Sequence, residues 1–130
     1  MSGKVLLTGI SGWIAKHTAI ELLNSGYEVL GTVRNKNLIE QTKETISKYT
    51  SIDKLSFVEL DLVKDDGWNE AAKGCKYIFH IASPFPMKVS NNRESLLPPA
   101  VDGTLRVLNA GINAGVDQIV KTSSIVAMFR

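Results

Sequence analysis

Val5-Leu6-Leu7-Thr8-Gly9-Ile10-Ser11-Gly12-Trp13-Ile14-Ala15 is the stretch on which the reading of this chain turns. An aliphatic run ends in Thr8-Gly9, and a few residues later the apolar spacing becomes helical. Ile14, Ala15, Thr18, Ala19, Leu22 and Leu23 fall on one face of a helix that stops at Ser25-Gly26. The glycines are spaced G-x-x-G-x-x-A. One glycine at a strand end permits a tight turn, the second lets backbone approach a diphosphate, and a small third residue, here Ala15, lets helix and strand pack closely. The unpaired N–H groups and the positive end of the helix dipole would then face the anion. The same spacing also describes a ligand-free βα turn, but its place at the head of an alternating strand–helix pattern favours the cradle. A triphosphate-binding loop is excluded: Gly26 and Gly31 have its gap, but Thr32 stands where lysine is required.

Working outward, five short apolar runs bounded by Gly, Asp or Ser read as strands: Val5–Thr8, Glu28–Val33, Leu55–Glu59, Tyr77–Ile81 and Gln118–Thr122. Between them lie the helix described above and a polar segment at about Leu38–Tyr49. A short helix follows with Asp65 or Asp66 as N-cap and Gly74 just past its end. The last runs from about Leu97 to Ala114, with Ala100, Val101, Thr104, Leu105, Leu108 and Ile112 toward the sheet and Gly115 as its stop. Strict alternation of strand and helix predicts an α/β fold. Parallel neighbours need crossover helices, so the sheet is expected to be doubly wound; as a Rossmann-type sheet, its five strands can form the usual order 3-2-1-4-5.

Composition narrows the function. The chain has 130 residues, 44% hydrophobic and 22% charged, enough for one domain with a real core. A net charge of +2 with scattered Lys and Arg carries no nucleic-acid or membrane footprint, though it leaves an anionic small ligand open. Cys75 is the sole cysteine and reads as a small filler; with only His17 and His80 beside it there is no metal-ligand spacing. No apolar run has the length of a signal-peptide core or a membrane span, so the expected location is cytoplasmic.

The end of the second strand selects the dinucleotide. An NAD site usually places Asp or Glu there to hold the ribose 2′-hydroxyl. This chain has Arg34, which accepts no hydrogen bond but pairs well with a 2′-phosphate, so the expected cofactor is NADP. Glu28 lies at the wrong end of the strand, and Asn35, Lys36 and Lys43 are candidates to assist Arg34.

With these residues in view, the whole chain resembles the N-terminal part of an extended short-chain dehydrogenase/reductase. The resemblance is to the subgroup of dihydroflavonol reductases, cinnamoyl-CoA reductases and fungal methylglyoxal or aldehyde reductases. It rests on Thr8-Gly9-x-x-Gly12-Trp13-Ile14-Ala15, Val33-Arg34, Asp61-Leu62, Phe79-His80-Ile81-Ala82-Ser83-Pro84, Val101-Asp102-Gly103-Thr104 with Leu108-Asn109-Ala110, and Lys121-Thr122-Ser123-Ser124. It implies cofactor contacts from Thr8, Gly9, Ser11, Gly12, Trp13, Ile14, Arg34, Asp61, Leu62, Ala82, Ser83, Pro84 and Thr122, with no metal. Asp61-Leu62 would meet adenine, and Ala82-Ser83-Pro84 would run beside the nicotinamide ribose. Ser124 would be the catalytic serine.

Taken one at a time, these residues have plainer readings. Asp61 is equally a turn cap, His80 reads as a satisfied core histidine, and Pro84 ends a strand. Ser123 and Ser124 read as loop serines, and only the resemblance chooses Ser124. Trp13 and Trp68 read as packing residues.

The resemblance implies hydride transfer from NADPH to the carbonyl carbon of a small-molecule substrate, with the proton from a tyrosine assisted by a lysine four residues on. Gly31, Asp53 and Ile81 stand four residues after Tyr27, Tyr49 and Tyr77, so that element is not in this sequence. The expectation is a cofactor-binding region without the C-terminal strands and substrate domain, inactive alone, with Ser83, Pro84 and the loop through Asn92 on the rim of the substrate pocket. The rival readings are a sugar-nucleotide epimerase or dehydratase, which more often carries an acid where Arg34 stands, and a non-catalytic dinucleotide-binding fragment. A chain ending after its fifth strand leaves an open edge beside apolar surface, so the 130-residue polypeptide is expected to associate in solution. A size-exclusion profile of a clean, cooperatively folding monomer would contradict this.

Overall fold

The computed structural model describes residues 3–82 and 97–123. Five strands, β1 (Lys4–Thr8), β2 (Glu28–Val33), β3 (Leu55–Glu59), β4 (Tyr77–His80) and β5 (Gln118–Lys121), alternate with four helices, α1 (Trp13–Asn24), α2 (Ile39–Ser47), α3 (Trp68–Ala72) and α4 (Leu97–Ala114). A 3-10 turn, Lys36–Leu38, leads into α2. All strand pairings are parallel, as the alternation predicts, and the sheet order is β3-β2-β1-β4-β5, that of the expected Rossmann-type half-sheet.

Side chains of a strand alternate between faces, so β1 feeds two cores. Val5 and Leu7 pack with Ala19 and Leu22 of α1 and Ile46 of α2; Leu6 packs on the other face with Ile78, with Trp68, Ala71 and Ala72 of α3, and with Val107 and Ala110 of α4. Both faces of the centre are thereby dry, which is why β1 reads as an unbroken apolar run. Cys75 is buried in the second core as a filler, its thiol held above the ordinary range chiefly by burial.

Helix α1 ends as its sequence indicates: the Gly26 and Tyr27 N–H groups return to the Leu23 and Leu22 carbonyls. Two sequence expectations need correction. The N-cap of α3 is Gly67, in the left-handed region at φ +86, rather than Asp65 or Asp66. Asp65 is engaged by Arg106 of α4 instead. The inward face of α4 is also rotated. Gly103, Val107, Ala110 and Gly111 are buried, whereas Val101, Leu105 and Ile112 are largely exposed and Thr104 and Leu108 half-buried; the side chain of Ala100 lies outside the described residues. Close approach decides this: a Cβ on Gly111 would stand 2.7 Å from Ile119 Cδ1 and 3.0 Å from Ile78 Cδ1. A helix seated that deeply presents its small residues to the sheet and turns its larger aliphatic ones outward.

Among the described residues β5 pairs only with β4, and Val120 on it is exposed. A groove of about 220 Å³ lies alongside, lined mainly by Leu22, Tyr27, Tyr77, Phe79 and Val120.

Near the glycine turn, fully buried Ile10 lies against Gly31 of β2, where an added Cβ would meet three Ile10 atoms at 2.5, 2.7 and 2.8 Å. Gly31→Ala should therefore lower stability by about 1–3 kcal/mol through overpacking, read as a reduced urea midpoint. An Ile10→Ala background should recover part of the loss, because the two substitutions share one space.

Candidate functional site

The turn between β1 and α1 is closed by backbone. Gly9 sits at φ +68, and a Cβ on it would fall 2.9 Å from Ala82 Cβ and 3.1 Å from Ala82 Cα, so both conformation and contact require glycine. Its N–H donates to Thr32 Oγ1 at 3.0 Å, the Ile10 N–H donates to the Thr32 carbonyl at 3.0 Å, and the Gly12 N–H donates to the Gly9 carbonyl at 2.9 Å.

Gly12 is different. It is the N-cap of α1 with φ −74 and ψ 157, extended backbone open to any residue, and a Cβ there would press only on the Gly9 carbonyl oxygen at 3.3 Å. That contact is tight, but among the described residues no other atom lies within 4 Å of the added Cβ, and Gly12 lines the adjoining crevice. Among the described residues no side chain caps α1, and its first turn holds no acidic residue. Helix starts usually carry a Ser, Thr, Asp or Asn acceptor for these N–H groups. A bare, uncapped start fits an anion brought by a ligand.

The crevice has a volume of about 550 Å³. Gly9, Ser11, Gly12, Trp13 and Ile14 line it from the turn, Thr32 and Arg34 from β2, Asp61, Leu62 and Val63 from the segment after β3, and Ile81 and Ala82 from the end of β4. The structure thus brings together nine of the residues expected at the cofactor. Thr32, Leu38, Leu60, Val63, Trp68 and Ile81 were missed; the signal for Thr32 was a polar residue near the end of a largely apolar strand.

Arg34 is exposed at the end of β2, and among the described residues no carboxylate pairs with it. The backbone beyond it is held in place, since Asn35 Oδ1 accepts from the Asn37 N–H at 2.9 Å and Glu59 Oε2 accepts from the Lys36 N–H at 3.0 Å. Asp61 does what its plainer reading requires, Oδ1 accepting from the Val63 N–H at 3.0 Å, while also lining the crevice. Trp68 is buried as expected. Trp13 corrects the packing expectation: it is 77% exposed and makes a T-shaped contact with His17, with ring centroids 5.1 Å apart.

Two further expected residues lie outside the crevice lining. Thr122 is exposed, and its N–H donates to the His80 carbonyl at 3.0 Å, continuing the ladder from β5 to β4. Thr8 is fully buried, and its oxygen accepts from the N–H groups of Ile81 and Ala82, each at 2.9 Å. With both lone pairs occupied, its O–H donates to His80 Nδ1 at 2.8 Å, which places the imidazole proton on Nε2. His80 is thus a satisfied core histidine. Ser83, Pro84 and Ser124 lie outside the described residues, as does the loop through Asn92.

The family model described as "NAD dependent epimerase/dehydratase family" matches residues 5–129. The chain belongs to that family. Tetraketide alpha-pyrone reductase 1 of Arabidopsis thaliana is 37% identical over 123 residues, covering 94% of this chain and 38% of that protein. Dihydroflavonol 4-reductase of Hordeum vulgare is 36% identical, covering 94% of this chain and 35% of that protein. Among solved structures, yeast methylglyoxal/isovaleraldehyde reductase Gre2 complexed with NADPH superposes with a TM-score of 0.81 at 30% identity, covering 95% of this chain and 38% of that one. These relatives come from the reductase subgroup that the motifs resemble. The epimerase/dehydratase family member described here spans rather more than a third of their length. Among the described residues no helix is long and apolar enough to cross a membrane, and no His, Cys, Asp and Glu cluster could hold a metal.

Burial, reinforced by the Lys121 cation, lowers the His80 pKa from 6.5 to about 4. The unfolded chain therefore binds a proton that the folded chain refuses between these values. The His80 contribution is complete above about pH 6.5 and is lost as pH falls toward about 4. His80→Asn keeps an acceptor for Thr8 but cannot titrate. Urea midpoints measured across that interval should fall more steeply for the native chain than for the variant.

Proposed function

We propose that this chain is the NADP-binding region of a reductase that converts a ketone or aldehyde to an alcohol. The reading is carried by one observation: the uncapped start of α1, bare at Gly12, shares a crevice with the Arg34 guanidinium. A dinucleotide with an extra phosphate on its adenosine ribose carries anionic groups suited to both features. The likeness to Gre2, whose structure was solved with NADPH, supports the same cofactor.

In this reading the N–H groups at the start of α1 hold the diphosphate, and Ser11 flanks it. Arg34 pairs bidentately with the 2′-phosphate. Asp61 and Leu62 bound the adenine, with Asp61 Oδ1 retained as the turn cap. Ala82, held against Gly9, guides the chain of contacts toward the nicotinamide end, where Ser83 and Pro84 follow in sequence. Thr8 acts beneath the site by fixing the end of β4. Ser124 is assigned to steady the substrate carbonyl oxygen, and Thr122 precedes it on the way out of β5. When bound, the reduced nicotinamide supplies a hydride to the carbonyl carbon. No tyrosine in the sequence has a lysine four residues later, so the 130 residues are assigned binding without turnover. The sugar-nucleotide epimerase reading, open to the same family, lacks an acidic residue at the Arg34 position.

Titration of the chain with NADPH and with NADH, repeated on Arg34→Ala, tests the assignment. NADPH should bind more tightly, and the substitution should cost it about 1–3 kcal/mol while leaving NADH nearly unchanged. Equal affinities, indifferent to Arg34, would remove the NADP reading.

A further inference from the structure

The segment after β3 has its carbonyls taken up by donors from two helices. The Trp68 indole N–H, at the start of α3, lies 3.0 Å from the Asp61 carbonyl and 3.1 Å from that of Lys64. From the middle of α4, Arg106 Nη1 donates to the Leu62 carbonyl at 2.7 Å and Nε donates to Asp65 Oδ1 at 2.6 Å. Gly103, one turn earlier on α4, allows the approach, since a Cβ there would stand 3.1 Å from Leu62 Cβ and 3.4 Å from the Leu62 carbonyl oxygen. The carbonyls of three of the four residues from Asp61 to Lys64 are thus tied to the body of the domain, while Asp61, Leu62 and Val63 wall the crevice.

The two halves of the Arg106 contact differ in kind. The Asp65 side chain is 86% exposed and that of Arg106 21%, so the ion pair faces water and is screened. The part-buried bond to the Leu62 carbonyl is the contact that orders the loop. A planar fork reaching two acceptors at once cannot be reproduced by a lysine ammonium.

We propose that Arg106 is a positioning residue for the nucleobase end of the dinucleotide: by holding the Leu62 carbonyl it sets the Asp61–Val63 wall before the ligand arrives. This assignment rests on the cofactor reading above. Without the clamp, the ligand must order the loop on binding, and that entropy is subtracted from affinity.

The test is calorimetric titration of the whole chain with adenosine 2′,5′-bisphosphate, which offers only the adenosine end, and with NADPH. Hydrogen exchange at the Val63 and Lys64 amides is measured alongside. Arg106→Ala and Arg106→Lys should each weaken both ligands by the same factor, about five- to tenfold. Exchange at Val63 and Lys64 should quicken, while Leu6 and Leu7 in β1 stay protected. Asp65→Asn should change affinity by less than roughly twofold, because the exposed pair is weak. The lysine variant decides the matter if the alanine variant does not fold. Folded variants that bind both ligands as the native chain does would overturn the assignment, as would Asp65→Asn reproducing the full loss. Those results leave the cofactor reading standing. A native chain that binds neither nucleotide overturns both.

Discussion

No side chain fits between Gly9 and Ala82, and the site depends on that contact. It places the turn after β1 directly against the backbone leaving β4. Thr8, one residue before the glycine, supplies the bond that maintains it, its single oxygen accepting from both Ile81 and Ala82. On the opposite side, Ile10 fills the space left by Gly31, and Thr32 binds the turn through hydroxyl and carbonyl. The turn is therefore gripped by both neighbours of β1. Its small residues do two separate jobs: Gly9 and Gly31 allow protein to meet protein, while Gly12 lines the crevice, where among the described residues only the Gly9 carbonyl oxygen lies within 4 Å of an added Cβ.

That distinction gives the crevice its chemical character. A polypeptide that needed only a tight βα connection would gain by capping α1 with a serine or aspartate, typically about 1 kcal/mol. This one forgoes the cap and leaves Arg34 at the rim without a carboxylate among the described residues. Among the described residues, a helix start without a side-chain cap and a guanidinium without a carboxylate partner line one cavity. The wall opposite is secured by backbone carbonyls taken up by Trp68 and Arg106, so its rigidity does not rely on the ligand.

Much of this was legible in the residues. The unbroken apolar run of β1 and the 3.6-residue spacing of α1 announced a strand–turn–helix unit, alternation implied parallel pairing, and the glycine motif pointed to the Rossmann strand order. Nine residues expected at the cofactor line one crevice because the glycine motif and the ends of successive parallel strands are brought to the same edge. What sequence misjudged has more than one physical cause. Apolar periodicity ranks faces by hydrophobicity, whereas α4 seats itself by size: Gly103 and Gly111 point inward and Ile112 outward because the helix must come close to Leu62, Ile78 and Ile119. Trp13 was expected to pack, but its place on the first turn of α1 puts it at the crevice mouth. The pairing of Ile10 with Gly31, and the reach of Arg106 to a carbonyl, are long-range complementarities that local pattern does not encode.

The Thr8 hydroxyl and its imidazole partner are 72 positions apart in the chain. Every strand contact in the sheet is likewise a parallel one, so no two adjoining strands can form early as a hairpin. Domains built from such distant pairings acquire their native topology slowly, because loop closure must precede any reward from contact. The glycine turn accordingly depends on distant chain: β1 and its helix are local, but the grip on the turn is complete only with the fourth strand in place.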